Sequence, residues 1–301
     1  GIWKYPQFSR LWNFNLQYFE YGIALAVQYQ KEKNPAYRNK FIEMVDDWIR
    51  TVNDGDGWHP YTISLRIPNW LIAFEIMQEK IPSYIIDSIY TQYRWLIRNQ
   101  ERHLLGNHYF ENLKTIVICS HVFDESKIFD RYIVKLSSEL MEQILTDGVH
   151  FERSFMYHKI ILEDLIRITM LLEERKDPFF DKFLPIIKKM NTAMVSLEEG
   201  MGRTPHFNDA GNNVSKSAKQ LSMFLKNRWN IIPKRKEEFP EAGYYKIHLP
   251  DGELLFDCGP LGPDYMCGHA HCDALSFELS VRNRPVFVNC GTYQYQGQKR
   301  S

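Results

Sequence analysis

From the start of the chain to about residue 232, apolar positions recur with a helical period. After Met156, the residues Ile161, Leu165, Ile168 and Leu172 follow at spacings of four, three and four, which puts them on one helix face. Similar stretches near 16–30, 37–52, 64–79, 83–99, 106–122, 127–145 and 179–197 predict helices of middle length. The breaks between them are short: Asn53-Asp54-Gly55-Asp56-Gly57, Lys80-Ile81-Pro82-Ser83 and Asp147-Gly148. Helices joined this way predict antiparallel hairpins. No repeat of fixed period marks a regular solenoid. After about residue 240 the period drops to two. Tyr244–Leu249 and Glu253–Asp257 flank Pro250-Asp251-Gly252 as a β-hairpin, and Leu275–Val281 and Pro285–Val288 flank Arg282-Asn283-Arg284 as a second. Helices followed by strands predict an α+β chain, divided here into 1–235 and 236–301, with the charged run Lys234–Glu238 as the surface connection.

Composition narrows the function classes. The 301 residues are 44% hydrophobic and 25% charged, an ordinary globular balance with ample material for a core. Lys+Arg and Asp+Glu both total 37, which argues against a general nucleic-acid binder. A neutral chain can still bind an acidic ligand, because a cleft needs only a few local cations. No apolar run is long enough to span a membrane. The five cysteines, Cys119, Cys258, Cys267, Cys272 and Cys290, form no regular framework and contain no CxxC pair. The first residue is Gly, no signal peptide is visible, and the chain stops soon after a strand-like segment. These features give the expectation of a fragment. The compartment is not legible, with a secreted or periplasmic bacterial setting left open.

Four segments set scarce polar groups beside Gly, aromatic and apolar residues: Trp58–Trp70, Gly106–Asn112, Asp147–His158 and Gly268–Phe277. In this order they resemble the heparinase II/III-like polysaccharide lyases and their alginate lyase relatives. That group also shows a strand-turn like Pro285–Tyr293. The resemblance runs from about residue 10 to the end. It implies an incomplete α/α toroid of helix hairpins followed by the start of an antiparallel β-sheet (sandwich) domain. The activity it implies is β-elimination on an acidic, uronic-acid-containing polysaccharide or oligosaccharide.

The chemistry sets its own demands. Elimination removes the C5 proton of a uronate and expels the group on O4. Because the neighbouring carboxylate is already negative, the site must stabilise an enolate-like dianion with hydrogen-bond donors. It also needs a base for C5 and an acid for the leaving oxygen. By the resemblance, Asn107 hydrogen-bonds the uronate carboxylate, Tyr157 is the acid and on some substrate epimers also a base, and His269 is the base candidate from the β region. His108 is a second candidate for base or carboxylate ligand, with Glu111 one turn away to orient it. Arg66, Arg153 and Arg203 are candidates for binding sugar carboxylates or sulfates, and Trp58 and Tyr61 for sugar contact. Taken singly, each has a plainer reading. Asn107 or His108 reads as a helix cap, Tyr157 as a core aromatic, Arg153 as a partner of Glu152 or Glu163, and Trp58, Trp70 and Tyr61 as packing.

His269 and His271 are two apart, which on a strand puts both on one face. In the resembled family the second of these histidines helps hold a structural divalent metal, usually zinc, together with an Asp after the next strand and a later His. Here Asn289 stands at the Asp position and no His follows His271. The expected site is therefore His271 with Asn289, with Cys290 as a further helper, and Asn is a poorer zinc ligand than Asp. Two other functions compete. One is a toroidal glycoside hydrolase using carboxylates among Glu152, Glu163, Asp164 and Asp209. The other is a non-catalytic glycan-binding or polysaccharide-assembly protein on a lyase scaffold. Joint retention of Asn107, Tyr157 and His269 argues against the second, since binding alone needs no acid–base set.

Overall fold

The computed structural model describes residues 3–265 and 267–293. They group into two compact units, Gly1–Leu136 and Ser137–Ser301, with the boundary inside one helix. The first unit is helical: α1 Arg10–Tyr18, α2 Glu20–Glu32, α3 Pro35–Thr51, a 3-10 turn at Gly55–Trp58, α4 Pro60–Met77, α5 Ser83–Arg98, α6 Gly106–Val122 and the first part of α7 Ser126–Gln143. The single helix predicted near 16–30 is two, because Phe19 takes a left-handed conformation (φ 59) between α1 and α2.

Helix α4 is the centre of this unit. It packs against α1, α2, α5, α6 and the 3-10 turn, so it is buried on nearly every side rather than on one stripe. Trp48 and Trp70 lie edge to face at 5.5 Å between ring centroids, and Phe41, Phe74, Phe110 and Tyr93 fill the space around them. Pro68 lies inside α4 and cannot donate a hydrogen bond to the Ser64 carbonyl. That carbonyl instead accepts from the Thr115 hydroxyl of α6 at 2.5 Å, so the proline's lost bond becomes a bond between helices.

The second unit holds the rest of α7, then α8 Phe155–Arg175, α9 Phe179–Glu198, α10 Ala218–Trp229 and a five-stranded antiparallel sheet in the order β1-β2-β3-β4-β5. The strands are β1 Glu238–Phe239, β2 Tyr244–Leu249, β3 Gly252–Asp257, β4 Phe277–Val281 and β5 Arg284–Phe287. Leu249 pairs with Gly252 and Val281 with Arg284, so both predicted hairpins are present with two-residue loops. Arg282 and Asn283 both have positive φ (51 and 60), the backbone that matches strand twist in a tight hairpin. Helix gives way to strand between Trp229 and Glu238. The α8–α9 pair meets the first three strands through a core that includes Phe155, Ala193, Leu197, Phe207, Phe239, Tyr244 and Leu255. Lys246 on β2 donates to the Ser196 carbonyl at 2.7 Å, tying the sheet to the end of α9. No helix among the described residues is long and apolar enough to cross a membrane.

Candidate functional site

In the second unit, two of the predicted catalytic residues come together. The Tyr157 and His269 rings lie 4.1 Å apart between centroids at 43°. Tyr157 sits in the first turn of α8, whose N-cap is Ser154: the Ser154 hydroxyl accepts from the Tyr157 N–H at 3.3 Å and donates to the Asp209 carbonyl at 2.5 Å. Asp209 in turn holds His269. Its Oδ2 accepts from His269 Nδ1 at 2.7 Å, and its own N–H donates to the His269 carbonyl at 2.9 Å. One residue therefore fixes both the helix carrying Tyr157 and the ring of His269. With Nδ1–H given to Asp209, the neutral imidazole presents Nε2 as its basic nitrogen.

The charges around His269 favour a proton. Burial alone disfavours the imidazolium, but the hydrogen bond to Asp209 and the negative charges of Glu152 and Asp209 outweigh it and hold the imidazole above its ordinary value. Glu152 is buried, with Oε2 3.8 Å from His269 Nε2 and 3.9 Å from His150 Nδ1. His150 itself is pulled well below the ordinary histidine range by burial and by the neighbouring His158 and His269. It stays neutral beside Glu152.

The loop before Asp209 is equally constrained. Asn208 adopts φ 60, donates from its backbone N–H to Asp273 Oδ2 at 2.5 Å, and accepts from the His271 N–H at 3.2 Å. Arg153 also has positive φ, and its guanidinium donates to the carbonyls of Phe151 (2.9 Å), Ala242 (3.1 Å) and Glu241 (3.2 Å). This corrects the expectation that Arg153 binds sugar anions or pairs with Glu152 or Glu163. It is 6% exposed and braces the turn before Ser154. Arg203 bonds Glu278 at 3.0 Å and the Asn289 carbonyl at 2.6 Å.

The first unit carries a separate polar cluster. Glu101, 2% exposed, accepts from His108 Nδ1 at 2.9 Å and from Asn112 Nδ2 at 3.1 Å, and lies 3.8 Å from His59 Nε2. Burial pushes the Glu101 carboxyl up, but His108, Asn112 and His59 outweigh it and hold it below the usual carboxylate range. His59 is the N-cap of α4, its Nδ1 accepting from the Tyr61 N–H at 3.3 Å, and burial pulls its pKa down. The Tyr61 and His108 rings lie 4.2 Å apart, tilted by 30°. Glu101, not Glu111, therefore orients His108, while Glu111 forms a buried ion pair with Lys114. Asn107 is 2% exposed in the first turn of α6. The N-cap of that helix is Leu105, at φ 58 and ψ −151, a conformation that strains any residue with a side chain and lies just ahead of Gly106-Asn107-His108.

Of two other candidates in this unit, Arg66 is interior and Trp58 is half-buried. Arg66 is 0% exposed and stacks 3.8 Å over Trp48. It donates to Gln92 Oε1 (2.7 Å) and to the carbonyls of Gly57 (2.8 Å) and Gln17 (3.2 Å). Its donors serve the scaffold, which corrects the expectation of a sugar-binding arginine. Trp58 gives its indole N–H to the Val52 carbonyl at 3.0 Å and packs between Trp48 and Trp95.

Against known proteins, the sequence model for the heparinase II/III N-terminus matches residues 2–238, and that for the heparinase II/III-like C-terminal region matches residues 231–301. The chain belongs to the heparinase II/III family. It is 21% identical to the heparin-sulfate lyase of Pedobacter heparinus over 92% of this chain and 47% of that protein. The crystal structure of heparinase III superposes with a TM-score of 0.81 at 18% identity, covering 99% of this chain and 53% of that one. Heparan sulfate lyase HepC from Pedobacter heparinus superposes at 0.62, again at 18% identity, over 99% of this chain and 52% of that one. The chain thus spans about half the length of the heparinase II/III relatives it matches. Its fold class is the one read from the residues, an incomplete α/α toroid followed by antiparallel sheet.

The metal expected of this family finds a poor fit in the described residues. Among them, no three His, Cys, Asp or Glu side chains gather as a ligand set. Asn289 Oδ1 accepts from the Gly291 N–H at 3.0 Å. His271 Nε2 faces the Thr292 hydroxyl oxygen at 3.5 Å, and that hydroxyl gives its hydrogen to Asp209.

Proposed function

We propose that this heparinase II/III family protein is a polysaccharide lyase that cleaves a heparan-type, uronate-containing glycan by β-elimination. The observation that carries the reading is the Asp209–His269 pair with the Tyr157 ring set against it. An acid and a base on adjacent side chains suit bond changes at the adjacent atoms C4 and C5 of one sugar ring.

His269 Nε2 takes the C5 proton. The released electron pair forms the C4=C5 double bond, the C4–O4 bond breaks, and O4 takes the phenolic proton of Tyr157. Exchange with solvent then returns the proton from the imidazolium to the phenolate. Asp209 and Glu152 stabilise the imidazolium as it forms. The family resemblance supports Asn107 as a donor to the uronate carboxylate, since an amide adds no like charge. The family and the named activities of the relatives support this substrate class.

The test is to incubate the whole protein with heparan sulfate, hyaluronan, alginate and a neutral glucan, following ultraviolet absorbance and new reducing ends together. Elimination produces both signals, because the C4–C5 double bond is conjugated with the carboxylate. Reducing ends without absorbance would replace the lyase with a hydrolase. Binding with neither signal would support the glycan-binding reading.

A further inference from the structure

The strand-turn after β5 lies against the Asp209 loop. Gly291 has φ 68, and a Cβ there would meet the Ala210 carbonyl oxygen at 2.4 Å. The Thr292 N–H donates to that carbonyl at 3.0 Å. The start of the segment is anchored where the Asn289 N–H reaches Glu278 Oε1 at 3.2 Å and the Asn289 carbonyl accepts from Arg203 at 2.6 Å. The close backbone approach brings the Thr292 hydroxyl within 2.6 Å of Asp209 Oδ1, to which it donates. Asp209 is therefore held at both oxygens, by Thr292 on one and His269 on the other.

His269 stands between two carboxylates. Asp209 faces Nδ1 at 2.7 Å and Glu152 faces Nε2 at 3.8 Å. A neutral imidazole carries one proton, and the nitrogen that carries it cannot act as base. If the proton sits on Nδ1, Nε2 is basic. If it moves to Nε2, toward Glu152, the base is lost. The end torsion of an Asp side chain is soft, so each hydrogen bond to the carboxylate helps to set its angle.

We propose that Thr292 is a positioning residue for His269: by clamping Asp209 Oδ1 it keeps the Nδ1–H···Asp209 bond ahead of the competing Glu152, and so keeps Nε2 unprotonated for catalysis. The kinetic consequence rests on the lyase reading, whereas the choice of tautomer does not.

The experiment compares wild type, Thr292→Val, which keeps the shape and removes the hydroxyl, and Thr292→Ser, which restores it. Long-range proton–nitrogen correlation of the His269 ring in the whole protein reads the tautomer directly. The expected result is Nδ1–H in wild type and Thr292→Ser, with Nε2–H gaining population in Thr292→Val. On heparan sulfate, kcat is expected to fall about tenfold or more in Thr292→Val, with KM changed less than about twofold, and to recover in Thr292→Ser. If Thr292→Val does not fold, Thr292→Ala takes its place. A Thr292→Val protein that keeps both the Nδ1–H tautomer and wild-type kcat overturns the proposal. If wild type makes no unsaturated product, the lyase reading fails, and an unchanged tautomer in Thr292→Val would then overturn the positioning role by itself.

Discussion

Asp209 is the residue on which the second unit's polar site turns. Through side chain and backbone it meets His269, Ser154 and Thr292, each at 2.5–2.9 Å. Its importance was hidden in the sequence, where it sits in Phe207-Asn208-Asp209-Ala210 and reads as one more loop carboxylate. Nothing local marks it, because its partners lie 55, 60 and 83 positions away. Tyr157 and His269, whose rings lie side by side, were singled out through segments that resemble the lyase family. The arginines misled for a physical reason: a guanidinium offers the same five donors to a backbone carbonyl as to a sulfate, and sequence shows only the donors. Arg66→Lys is accordingly expected to act on stability. A lysine cannot span Gln92, Gly57 and Gln17 at once, so a loss of roughly 2 kcal/mol or more should appear as a lower urea midpoint, with glycan affinity unchanged in the protein that remains folded. A selective loss of affinity would return Arg66 to the binding surface. For Asn107→Ala the expectation is kinetic. Its amide matters most as charge develops, so kcat should drop by about tenfold or more while KM moves little. Steady-state kinetics on the polymer that is cleaved checks this, and a change in KM alone would count against the assigned role.

The elements follow the periodicity closely wherever a helix has one apolar face. Helix α8 begins one residue before Met156 and carries Ile161, Leu165, Ile168 and Leu172 to the core. Helix α10 was missed because its pattern is weak, with only Leu221 and Leu225 buried. Its start was nonetheless written as Ser217-Ala218-Lys219-Gln220, a complete capping box. The first helical stretch was read as one helix instead of two because Phe19 gives no sequence signal of a left-handed backbone. At this scale Ser154 makes the sharpest prediction, since it caps α8 and also bonds Asp209. Ser154→Ala should cost about 1 kcal/mol of stability through the cap. It should also lower kcat by more than the loss of folded protein explains, because Asp209 loses a support. Denaturation midpoints and kcat measured on the same preparation separate the two effects. Stability loss with unchanged kcat per folded molecule would make Ser154 a cap only.

For the molecule as a whole, pH acts through buried groups. Asp257, at the end of β3, is pushed up to about 6 from the usual 3.8, by burial first and by the Asp273 charge, against the pull of the Gly259 N–H and Arg153. Its folded-state value lies above its unfolded one, so the native state binds the extra proton between about pH 4 and pH 6. Stability from this group is full below that window and falls as pH rises through it. Asp257→Asn, which can keep the acceptor for Gly259, should therefore raise stability at pH 7 by on the order of 1 kcal/mol and make no difference below pH 4. Urea midpoints of the pair across that range test the sign, and a variant less stable at pH 7 would show that the carboxylate is needed in its charged form. Whether Tyr157 and His269 perform an elimination is read from one comparison. The whole protein, Tyr157→Phe and His269→Ala are incubated side by side with heparan sulfate, and the unsaturated uronate at the new non-reducing end is measured. Wild type is expected to give that product and either variant essentially none, with both variants folded. Unsaturated product from Tyr157→Phe or His269→Ala at the wild-type rate would contradict it.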